Sequence, residues 1–256
     1  MFALGIFDII QCIPHFITGI FTLVQSVFHP ILAKLMGVLA TPAYIAYASL
    51  TVILSFNRFV LIYSPNLESK LFNKSAVDVW IACVTILWFL FAASLSTPWA
   101  TISYFPALYS WDYDDSLNWS YIVKKSEMVM ELGSILLSAV FYSFIIVTLY
   151  KTRKRFFASA SSRTEIKILI QALVITVYCT ILNFFWHNSK ALLPANIWTY
   201  TALNMMWILN SGVYPLIYFI VNSTIRDRIR PLRTSILAVT MFNRTKHGTT
   251  ITILKK

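Results

Sequence analysis

Charge is what this sequence of 256 residues has least of: Asp, Glu, Lys and Arg make up 12% of it, against about a quarter in an ordinary soluble domain. Hydrophobic residues reach 58%, a balance that excludes a water-soluble fold of this length. Cysteine is also scarce. Cys12, Cys83 and Cys179 all fall within apolar runs, where a free Cys behaves as a small hydrophobe, and no pair sits where an extracellular disulfide could form. There is no Gly-rich loop to cradle phosphate, no His/Cys metal spacing and no nucleophile elbow, so neither an enzyme nor a cofactor is expected. The first apolar run lacks the basic lead and small-residue cleavage site of a signal peptide. Alternating ten-residue segments are absent, which argues against a β-barrel, and the first half does not recur in the second, which argues against a transporter of duplicated halves.

What is present is a series of long apolar runs. A bilayer span needs about 20 such residues, and windows of that size fall at roughly 2–25, 36–63, 76–97, 126–150, 166–188 and 197–221. The expected fold is therefore an all-α membrane protein, a transmembrane bundle over 1–234 followed by a basic tail over 235–256. The net charge of +11 is distributed as a topology signal. Of the 21 Lys and Arg residues, only Lys34, Lys124, Lys125 and Lys190 fall on one side of the spans; the other seventeen fall on the opposite side. That bias marks the cytoplasmic face, places both ends there, and gives no support to nucleic acid as a partner. The tail opens with Ile225 and Ile229 interleaved with Arg, a pattern suited to a short amphipathic helix on the inner membrane surface.

The outer loop 98–125 is rich in Trp and Tyr around Asp112, Asp114 and Asp115. It reads either as an interfacial aromatic belt with a solvated acidic patch or as a lid over a binding site. Of the four Asn-x-Ser/Thr sequons, at Asn73, Asn118, Asn222 and Asn243, only Asn118 faces outward in this topology and is expected to carry glycan. Ionisable groups inside spans are costly and draw attention to function. Asp8 lies in the first span with Asn210 and Ser211 of the last as candidate polar partners, Glu131 lies near the outer end of the fourth, and His187 is either functional or simply interfacial. Asn183, Trp186, Asn204 and Trp207 occupy the outer halves of their spans and, with Glu131, are candidate pocket residues.

Three motifs in order give a resemblance. Asn57-Arg58-Phe59 at the inner end of the second span looks like the Asp-Arg-Tyr motif of rhodopsin-like G-protein-coupled receptors, with Val60 and Pro65 at the family spacing after it. Asn210-Ser211-Gly212-Val213-Tyr214-Pro215-Leu216-Ile217-Tyr218 is similar to their Asn-Pro-x-x-Tyr motif, and Leu4 to Asp8 resembles the Leu-x-x-x-Asp of their second helix. Gly5 to Asp8, the Asn-Arg variant, and Glu165 to Gln171 resemble most the nematode serpentine chemoreceptors of class T or the related class X. The six spans then correspond to receptor helices two to seven, without the first. The bridging Cys expected near Ala33 is absent, the Trp-x-Pro of the sixth receptor helix is replaced by Asn183-Phe184-Phe185, and Tyr214 stands where the last-helix Asn is usual.

The resemblance implies a plasma-membrane chemoreceptor, with a sensory cilium as one place for it, that detects a small molecule and activates a heterotrimeric G protein at its inner face. Arg58 would pair with Glu165 in one state and release it in another, while Pro215 kinks the last helix and frees Tyr218 to move. Two alternatives stay open: a small ion- or proton-coupled transporter or channel using Asp8 and Glu131, and a truncated remnant that does not signal.

Overall fold

The computed structural model describes residues 2–151, 160–194 and 196–221; within these, the side chains of 149–150, 160–173, 175, 190 and 213–221 lie outside the description. The chain divides into two compact units, Met1–Val213 and Tyr214–Lys256. Ile225 and Ile229 lie outside the described residues.

The first unit is built from long helices: α1 (Phe2–Val24), α2 (Pro30–Tyr63), α4 (Lys74–Ser96), α5 (Asn118–Lys151), α6 (Ala160–Leu192) and the part of α7 (Ile197–Val221) up to Val213, with a short α3 (Pro65–Leu71) between α2 and α4. Among the described residues, four helices are long and apolar enough to cross a bilayer: Phe2–Val24, Pro30–Tyr63, Lys74–Ser96 and Asn118–Thr148. Several begin before the apolar window does. α2 starts at Pro30 and α5 at Asn118, because hydropathy marks the hydrocarbon core while the backbone hydrogen bonds of a helix continue through the interface.

α2 is the central strut, packing against α1, α4, α5 and β1. Its 34 residues span roughly 50 Å, more than the hydrocarbon core. Its entry is fixed by His29, whose Nδ1 accepts from the Ile31 N–H at 3.2 Å, with Pro30 at the first helical position. Its exit is set by Pro65, which disfavours helix at Ser64 and starts α3. The buried face carries Ala33, Gly37, Ala40, Ala43 and Ala46, small residues that let neighbouring backbones approach in a membrane bundle. α4, by contrast, buries only Val84 and Leu95, as befits a helix facing lipid.

The loop between α4 and α5 contains secondary structure that hydropathy does not reveal. β1 (Ile102–Phe105) and β2 (Ser110–Tyr113) form an antiparallel hairpin with Ile102 opposite Tyr113 and Tyr104 opposite Trp111. Strand alternation puts these four on one face, and all four are buried. The turn contains no glycine; it is a 3-10 segment, Pro106–Leu108, followed by Tyr109 in the left-handed region at φ 51°.

Gly37 is where the hairpin lands. A Cβ there would run into the Ile102 side chain and come within 3.0 Å of the Ile102 carbonyl oxygen.

Candidate ligand-binding site

The core face of α5 repeats at helical spacing through Val123, Glu127, Glu131, Ile135, Ser138, Tyr142 and Ile145, all buried. Two carboxylates one turn apart therefore point inward from the outer half of this helix. Glu131 is 2% exposed and sits 2.8 Å from His187 Nε2 of α6, so His187 is an interior partner and not an interfacial residue. Glu127, which the sequence reading does not single out, is 6% exposed and accepts a short hydrogen bond from the Tyr113 hydroxyl of β2. The signal for Glu127 was its i, i+4 relation to Glu131.

Burial, and after it the nearby Glu127 carboxylate, holds the Tyr113 phenol well above its ordinary value, so it remains a donor. Burial likewise raises Tyr104. The hairpin is tied down on several helices. Trp111 Nε1 donates to Thr18 Oγ1 at 3.2 Å, Tyr104 and Thr22 hydroxyls are 2.6 Å apart, and Asn204 Nδ2 donates to the Tyr109 carbonyl at 2.6 Å. At the rim, Lys124 pairs with Asp112 at 3.0 Å.

Beneath this cover lie two adjacent spaces. The outer, about 90 Å³, is bounded by Trp111, Tyr113, Glu127, Trp186, His187 and Tyr200 among others. The inner, about 20 Å³, shares Ile102, Glu127 and Trp186 with it and adds Tyr44, Glu131, Asn183 and Trp207. Four of the five expected pocket residues, Glu131, Asn183, Trp186 and Trp207, thus line one cavity. Asn204 instead fastens the turn of the hairpin. Asn183 donates to the Tyr44 hydroxyl at 2.7 Å, and Trp207 packs against Trp186 with ring centroids 5.1 Å apart. His15 of α1, which the sequence reading also passes over, meets Trp207 edge-on at 5.0 Å. Among the described residues no group of three His, Cys, Asp or Glu side chains is arranged to hold a metal ion.

Deeper in the bundle, Asp8, Gln11, His15 and Thr18 form a buried polar stripe along α1. Asp8 makes no hydrogen bond to Asn210 or Ser211: the Asn210 side-chain oxygen accepts from Cys179 Sγ at 3.2 Å, while Asp8 Oδ1 and Ser211 Oγ have no partner among the described residues. At the inner end, Asn57 donates to Glu68 of α3 at 3.3 Å, tying α2 to the short helix that follows it. Arg58 is half-buried, and Phe59 stacks on Tyr63 and Phe141 at 5.7 and 5.6 Å. The side chains of Glu165, Tyr214, Pro215 and Tyr218 lie outside the described residues. Asn118 is exposed at the start of α5, while Ser120 of its sequon is buried and donated to by the Thr101 N–H at 2.9 Å.

The fold is similar to that of squid rhodopsin: the crystal structure of that protein matches with a TM-score of 0.63 and 16% sequence identity, covering 92% of this chain and 85% of the rhodopsin chain. None of the curated proteins compared with the sequence matches it. The family model for the serpentine type seven-transmembrane G-protein-coupled chemoreceptor Srt matches residues 1–240. With nearly the whole chain matched, the protein belongs to the Srt family of serpentine chemoreceptors.

Proposed function

We propose that this receptor binds its small-molecule ligand in the cavity under the hairpin and, from the plasma membrane, activates a heterotrimeric G protein through its basic inner face. The observation that carries the reading is the composition of the cavity wall. Side chains of α2, α5, α6, α7 and the hairpin meet there, so one occupant touches most of the moving parts of the first unit. A ligand shifts a conformational equilibrium only through contacts that differ between the two states, and a site shared by several helices provides them. Coupling roles are proposed, from the sequence motifs, for Asn57, Arg58, Phe59 and the basic stretch 151–165 with Glu165 and, separately, for Tyr214, Pro215 and Tyr218, with the carboxyl-terminal tail in the cytoplasm.

The test is a screen of small compounds on cells expressing the chain with a promiscuous G protein. The expected result is a compound that raises second messenger with the wild type but not with Arg58→Ala, while still raising the melting temperature of both purified proteins. Ion or proton flux in reconstituted vesicles that vanishes with Asp8→Asn, with no G-protein response to any compound, overturns the reading.

A further inference from the structure

The acid pair is under-compensated by its described neighbours. Glu127 and Glu131 are 6% and 2% exposed and both border the inner space of about 20 Å³. Tyr113 gives Glu127 a hydrogen bond but no charge, and His187 at 2.8 Å can neutralise one carboxylate, not two. The nearest lysine, Lys124, is engaged at the rim by Asp112 at 3.0 Å and Asp115 at 3.9 Å, and Lys125 lies over the Tyr121 ring. A buried carboxylate without a counter-charge is costly enough that a proton or a cation must complete the cluster.

Trp207 supplies an independent pointer. It is 7% exposed and lines the same space, and its indole N–H has no acceptor among the described residues. Tyr44 and Trp186 line this space with Trp207, and aromatic rings attract organic cations. The inner volume slightly exceeds the roughly 10–15 Å³ that a water-sized group needs, which is the size of an ammonium head. The outer space of about 90 Å³ is left for the remainder of the molecule.

We propose that the cavity recognises a small aliphatic amine as its ammonium ion, the head against the Glu127 and Glu131 carboxylates in the inner space, an oxygen acceptor close behind the head for the Trp207 indole N–H, and the rest of the stem in the outer space. This inference rests on the receptor reading only in taking the cavity as the ligand site. The full chain in lipid nanodiscs is titrated with four probes of similar size: 2-methoxyethylamine, n-butylamine, methyl propyl ether and methoxyacetate. Thermal stabilisation is read against empty nanodiscs.

2-Methoxyethylamine is expected to bind saturably and most tightly, n-butylamine more weakly, the ether at least tenfold more weakly than 2-methoxyethylamine, and methoxyacetate not at all. The double variant E127Q/E131Q is expected to lose the preference for amine over ether. Trp207→Phe is expected to keep that preference and bring 2-methoxyethylamine down to n-butylamine. Equal binding of amine and ether by the wild type, stabilisation by methoxyacetate, or no stabilisation by either amine overturns the proposal without relying on any variant folding. The receptor reading fails separately: amine binding with no G-protein response to any compound removes the coupling and leaves the amine site in place.

Discussion

Replacing His187 by Leu removes the only imidazole partner of Glu131 among the described residues and leaves the carboxylate in an interior that is 2% exposed. Two magnitudes compete. Breaking a buried ion pair by deleting one member costs about 3–5 kcal/mol, because a charge is stranded. Losing a neutral interhelical hydrogen bond inside a bilayer costs about 0.6 kcal/mol on average and about 1.7 at most. The 2.8 Å contact fits either state; if Glu131 is held as a carboxylate, as the amine proposal requires, it is an ion pair and a loss near 3 kcal/mol or more is expected at neutral pH. In a chain of this size that is a fall in melting temperature of roughly 6–12 °C. Acidification supplies the proton that replaces the lost partner, so the deficit should shrink as pH falls. The double variant E131L/H187L has nothing to strand and should recover to within about 1 kcal/mol of the wild type. Thermal unfolding of the four proteins in one nanodisc preparation gives the coupling energy by a double-mutant cycle. A loss below about 1.7 kcal/mol for H187L, with the two changes simply additive, would show a neutral hydrogen bond and refute the ionic reasoning.

Gly37→Val puts carbon atoms where the Ile102 side chain and carbonyl already lie, and overpacking of this kind costs about 1–3 kcal/mol; the expected readout is faster proteolysis within 102–113 and a red-shifted Trp111 emission. Tyr113, raised by burial and by Glu127, is expected to ionise after the exposed tyrosines in an alkaline ultraviolet titration. A phenol whose folded value is raised stabilises the docked hairpin fully below the ordinary value of about 10, and that contribution is lost as pH rises beyond it. Tyr113→Phe should take one tyrosine out of the late step, which it shares with Tyr104, and an unchanged titration would contradict the burial. Asn118→Gln should abolish a deglycosylation-sensitive mobility shift, whereas Asn73→Gln should not; Asn73 caps α4 by accepting from the Ala76 N–H at 2.9 Å and lies on the basic side of the topology.

The helices were legible because a bilayer imposes one requirement, a run of apolar residues of fixed length, that hydropathy measures directly. The receptor family was legible because Arg58, Asn210, Pro215 and Tyr218 stand in order at the ends of such runs. A lid was one of two readings of the loop 98–125, but the fold of that cover was not legible. Its strands are four residues each, and the turn at Pro106 to Tyr109 lacks the Asn-Gly or Gly pair by which short hairpins announce themselves. Glu127 and His187 were obscured for a related reason. Glu127 follows Lys124, Lys125 and Ser126, and His187 precedes Asn188, Ser189 and Lys190, so each is attached in sequence to a polar stretch that reads as interface. Both are buried by contacts distant in the chain, Tyr113 on Glu127 and Glu131 on His187, and no local pattern encodes those contacts.

The tethering of that cover constrains how a ligand could act. The hairpin holds α1 through Thr18 and Thr22, α2 through Gly37, α5 through Glu127 and α7 through Asn204. A ligand that displaced Tyr113 from Glu127 would break one of these links, worth about 0.5–1.5 kcal/mol net and more where the acceptor is ionised. Carrying a receptor from 1% to 99% active requires about 5.5 kcal/mol of differential binding. Releasing one tether therefore falls well short, and lifting the whole hairpin would sacrifice several contacts at once. The energy has to come from inside the cavity, where the proposed ammonium ion would compensate a carboxylate that His187 alone cannot. On this account the hairpin stays docked and the helices move beneath it. α5 and α6, which share the Glu131–His187 pair at 2.8 Å, would then be the elements whose packing the proposed ligand changes.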